Sequence, residues 1–130
     1  MDLMIVIAAA ILAWVVGAIW FRLTGGLAAD NSALQVRNIG DPRTRPVMPY
    51  LVAGIALVAV AAMIRVLFVR AGIDGILAGL GWGALIGAAL VAPWFVIADA
   101  RAPRAGSVML GDIGYALIAC AVIGAVMGGV

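Results

Sequence analysis

The chain has 130 residues, of which 67% are apolar and 11% charged, against roughly 45–50% and about 25% in soluble domains. A soluble fold of this size hides only about two-thirds of the surface its unfolded chain exposes, so this composition excludes a water-soluble domain and leaves lipid as the solvent. The formal charge of +2 comes from eight Arg and six Asp, with no Lys, Glu or His; the loop arginines set membrane orientation rather than form a nucleic-acid footprint.

A spanning helix needs roughly 20 mostly apolar residues, so the chain has room for four spans and short connections. The expected fold is an all-α integral membrane four-helix bundle, one unit over residues 1–130. The first span is predicted over residues 3–21 (LMIVIAAAILAWVVGAIWF). It opens on Asp2 with no early basic residue, unlike the basic n-region of a secretory leader, and is read as a retained helix. Trp20 and Phe21 ahead of Arg22 read as an interfacial anchor.

Residues 22–46 form the one extended polar segment, predicted as a loop. Gly25-Gly26 is expected to break the chain, and Asp30-Asn31-Ser32 to cap a short helix to about Asn38. Asp41-Pro42 and Arg45-Pro46 mark turns. The second span is predicted over 47–69, with Pro49 tolerated in its first turn. A tight connection through Gly72 and Asp74 leads to the third span, 75–98, where Pro93-Trp94 predicts a kink. Residues 99–107 (DARAPRAGS) read as a polar turn before the fourth span, 108–130.

Arginine placement sets the orientation. Six (Arg22, Arg37, Arg43, Arg45, Arg101 and Arg104) lie in the first and third connections, and two (Arg65 and Arg70) lie on the other side with both termini. The bias predicts those two connections in the cytoplasm and both termini on the periplasmic side of a bacterial inner membrane. It also argues against a dual-topology dimer. The six arginines are candidate contacts to lipid phosphates.

The strongest pattern is Gly75, Gly79, Gly83 and Gly87 in the third span. Steps of four residues keep the glycines on one slowly drifting ridge about 18 Å long, where a neighbouring backbone can approach. Helix packing, within one chain or between copies, is the expected use; a ridge lining an oligomeric pore is the alternative. Ala9, Ala13 and Gly17 in the first span, and Gly124 and Gly128 in the fourth, offer matching small-residue faces.

Asp112 lies inside the fourth span, with Tyr115 on the same helix face. Intramembrane carboxylates are costly and turn to the bundle interior. Asp112 reads either as an acceptor near the helix N-terminus or as a proton or cation site. Arg65 reads as snorkelling to headgroups or pairing with Asp74. With no His and one Cys, haem, zinc and Cys–His or Ser–His chemistry are excluded within the chain. No Gly-rich loop follows a strand, so dinucleotide and P-loop sites are excluded too. No cofactor, metal or catalytic residue is expected.

Residues 17–21 leading to Gly25-Gly26, the stretch 79–83 (GLGWG), Pro93-Trp94, residues 111–115 (GDIGY) and Gly124 to Gly128 together resemble the family called domain of unknown function 1761. The resemblance covers most of the chain and implies a small four-helix bacterial membrane protein, without implying a chemistry. Two departures stand out: Arg22-Leu23-Thr24 replaces a proline expected after the first span, and Asp99-Ala100-Arg101 stands where Asn and an aromatic are expected. The partners expected are the lipid bilayer and either copies of the chain or a larger membrane complex. The expected function is a non-enzymatic membrane protein of that kind, with a small oligomeric channel or transporter carrying Asp112 near its pathway as the alternative.

Overall fold

The computed structural model describes residues 2–36, 48–101 and 106–130. These residues are helical with short turns, and no strand occurs among them. Helix α1 runs Asp2–Val36, α2 Met48–Ala71 and α3 Ile76–Ile86. A π-helical stretch, Gly87–Val91, joins α3 to α4, Ala92–Arg101, and α5 spans Gly106–Gly128. Among the described residues, four segments are long and apolar enough to cross a membrane: Leu3–Trp20, Leu51–Ala71, Ile76–Arg101 and Gly106–Gly128.

Helix α5 is the hub, packing against α1, α2, α3 and α4. The core is built of small side chains with a few large ones between them: Ala9, Ala10, Ala13, Ala61 and Ala119 beside Ile64, Phe68, Ile123 and Met127. Small residues let helix backbones approach, and van der Waals packing holds helices together where lipid removes the hydrophobic drive. The large apolar residues point outward instead, among them Leu77 at 85% exposure and Ile55 at 72%. That inversion of the soluble pattern is the expected result of a hydrocarbon solvent.

The helical elements differ from the sequence reading in three places. The break expected at Gly25-Gly26 is absent, and α1 continues through both glycines to Val36. Two helix glycines cost about 1 kcal/mol each relative to alanine, and the Leu, Ala and Gln residues that follow favour the helix. At 1.5 Å per residue the helix is about 52 Å long, well beyond the roughly 30 Å hydrocarbon layer. Residues 99–101, read as the start of a polar turn, are the last turn of α4.

The third difference is the form of the distortion near Pro93. Proline lacks an N–H, and its ring collides with the carbonyl four residues back, here that of Ala89. The helix absorbs this by widening just before it: the Ala92 N–H reaches back five residues to the Gly87 carbonyl, a π-type bond. Farther back, the α2–α3 turn depends on Gly72 and Gly75, at φ +64° and +107°, a region side chains avoid.

Candidate functional site

The face of α5 turned to α3 brings the two helix backbones into direct contact. A Cβ at Gly79 would fall on the Gly124 carbonyl oxygen, and one at Gly83 on that of Cys120. At Gly87 it would come 3.1 Å from both the Ala116 oxygen and the Leu117 Cα. Reciprocally, a Cβ at Gly128 would stand 2.5 Å from the Gly75 oxygen and 3.0 Å from the Gly79 Cα. Each four-residue step along α3 is matched by a four-residue step back along α5, so two antiparallel small faces mesh backbone to backbone. The structure thus brings the four ridge glycines to α5 of the same chain.

The opposite side of α5 receives α1 through a reciprocal ring-and-glycine arrangement. The Trp20 indole lies over Gly114, where a Cβ would be 2.8 Å from its Cζ2, and its Nε1–H donates to the Gly111 carbonyl at 3.0 Å. The Tyr115 ring fills the notch left by Gly17, where a Cβ would come 2.5 Å from its Cε2, and its hydroxyl donates to the Ala13 carbonyl at 3.3 Å. Each ring therefore supplies apolar contact and satisfies its polar end on the partner helix. Trp20 was read as an interfacial anchor; here its indole faces into the bundle.

The third cluster gathers at the C-terminal end of α5. The Arg65 guanidinium, through Nη1, donates to the Met127 carbonyl at 3.3 Å, and the Gly75 N–H donates to the Gly128 carbonyl at 2.6 Å. The last carbonyls of a helix have no partner within it, and a cation there also opposes the negative end of the helix dipole. Arg65 thus reaches across from α2 to the end of α5.

Two carboxylates lie at the other end of the bundle. Asp112 is half-buried on α5. Because α5 starts at Gly106, Asp112 stands six residues in, past the first turn where a carboxylate accepts free N–H groups. Asp99, in the last turn of α4, is buried at 9% exposure, and sequence reasoning missed it. Placed in a supposed polar turn, it carried no signal of the helix that covers it.

Of the six arginines read as lipid contacts, Arg22 and Arg101 are exposed. Arg37, Arg43, Arg45 and Arg104 lie outside the described residues. Among the described residues no group of three His, Cys, Asp or Glu side chains comes together to hold a metal.

The family model described as "Protein of unknown function (DUF1761)" matches residues 4–128. No curated protein and no solved structure matches. The match spans nearly the whole chain, and the protein belongs to that family.

Proposed function

We propose, with that membership as the premise, that this chain is a non-enzymatic membrane protein that works by association. It packs as a homo-oligomer or as an accessory subunit of a larger complex, in the bacterial inner membrane with both termini periplasmic. The observation that carries this reading is the use made of polar groups within the spans. Trp20, Arg65 and Tyr115 each donate to a main-chain carbonyl of a neighbouring helix, so side chains able to do chemistry serve helix packing instead. The outward faces support association as well. Gly54 on α2 and Gly81 on α3 have open space where a Cβ would stand, which lets another helix come close. Arg22 and Arg101 are exposed, which supports their contacting lipid phosphates.

Extraction in native lipid nanodiscs followed by mass measurement tests the reading. Particles holding two or more copies of the 13.2 kDa chain, or a defined second membrane protein, are expected. A chain that emerges alone would overturn it.

A second reading, an oligomeric channel or transporter, has its own observation: Asp99 and Asp112 are carboxylates carried by helices that cross the membrane. Its test is ion flux into liposomes. Flux in the wild type that disappears in a stably folded Asp112→Asn protein would favour this reading over association alone.

A further inference from the structure

Helices α2 and α3 both lean on α5, and a groove of about 550 Å³ opens between them. Leu67, Phe68 and Ala71 form its α2 wall, Ala78, Trp82 and Ile86 its α3 wall, and residues 72–74 close one end. Phe68 is fully buried at the groove floor, while Trp82 and Ala78 are exposed along its side. The volume falls within the roughly 300–1,000 Å³ of small-molecule sites. We infer that this groove seats one acyl chain of an amine-bearing phospholipid, with its ammonium group held by Asp74.

Depth, polarity and charge each point to that occupant. Ala78, Trp82 and Ile86 are spaced by four, so they line one helix stripe about 12 Å long. The stripe starts near the end of the 26-residue segment Ile76–Arg101 and stops close to its middle. It therefore covers nearly one leaflet, half of the roughly 30 Å hydrocarbon layer. Along that depth the walls are apolar, as an acyl chain requires. The charged lining residue, Asp74, stands at the closed end, level with the headgroups, and is exposed.

Arg70, also exposed, lies in the last turn of α2 beside that end. A carboxylate and a guanidinium at the same end of the groove complement a headgroup that carries an ammonium beyond a phosphate. A primary ammonium donates hydrogen bonds to a carboxylate; a quaternary choline has no N–H to give, and a glycerol headgroup has no positive charge.

The experiment is native mass spectrometry of the full chain from nanodiscs holding equal parts phosphatidylethanolamine, phosphatidylcholine and phosphatidylglycerol with identical acyl chains. One retained ethanolamine lipid per chain is expected, several-fold above the other two. Ala78→Trp, which fills the groove from an exposed position, should abolish retention. Ala88→Trp, on an exposed position away from the groove, should keep it. Asp74→Asn should keep a bound lipid while erasing the preference for ethanolamine over choline. Circular dichroism and thermal melting confirm that each variant folds. Equal retention in a folded Ala78→Trp protein, or no headgroup preference in the wild type, would overturn the inference. So would a wild-type dimer that becomes a monomer in Ala78→Trp, which would make a second copy the occupant.

Discussion

At Gly79 an added methyl group would land on the Gly124 carbonyl oxygen, whereas at Gly54 it would meet open space. The two glycines lie in spanning helices, so the comparison isolates packing from helix propensity. Gly79→Ala should lower stability by about 1–3 kcal/mol, the usual range for overpacking. Gly54→Ala should be neutral or stabilise by about 0.4–1 kcal/mol, because alanine restricts the unfolded chain. Unfolding of both variants in the same detergent or bicelle checks this; equal stability would place Gly79 away from a tight contact. The spacing that exposed the ridge was legible because four-residue steps are a local property. Its partner face on α5 was legible in part: Gly124 and Gly128 stood out as a small-residue face, whereas Ala116 and Cys120 carry no such mark. The direction of Trp20 was not legible. A tryptophan just before an arginine reads as a belt residue, and only the closeness of Gly111 and Gly114 turns it inward.

Among the elements, the four spans were legible as long apolar runs bounded by polar or glycine-rich stretches, because lipid demands that pattern over a fixed length. The extent of α1 was not. Gly25-Gly26 is a strong local breaker, yet its cost of about 1 kcal/mol per glycine is small beside the gain from continuing a long helix. The widening before Pro93 was legible only as a kink, since proline dictates that a bond is lost but not how the chain absorbs the loss. An added residue in the turn rotates everything beyond it, and α4 carries Asp99 to its buried position. Pro93→Ala lets Ala89 regain its normal bond and should rotate α4. A cysteine at position 99 should then react several-fold faster with a small thiol reagent than it does with Pro93 in place. Native Cys120 is buried, so it adds little background. An unchanged rate would show that the π turn is held by its neighbours rather than by proline.

For the molecule as a whole, orientation and self-packing are the properties on which function depends. The arginine asymmetry predicts periplasmic termini. A reporter active only in the cytoplasm should therefore stay dark when fused after Val130 and become active when inserted near position 35; the opposite pattern would reverse the orientation. The central structural claim is that the glycine ridge is consumed inside one chain, α3 against α5, which leaves other faces for partners. Ile76 and Gly129 test it most directly, because a Cβ at Gly129 would stand 2.9 Å from the Ile76 Cγ1. That proximity suits a disulfide, whose Cβ atoms lie about 3.8 Å apart. An Ile76→Cys, Gly129→Cys double variant, in a Cys120→Ala background and oxidised in membranes, is predicted to form a bond within each chain. The chain should then run as a monomer on a non-reducing gel, with no thiol left to label. Covalent dimers with few intrachain bonds would mean that the third and fourth spans meet across copies, and would contradict the account.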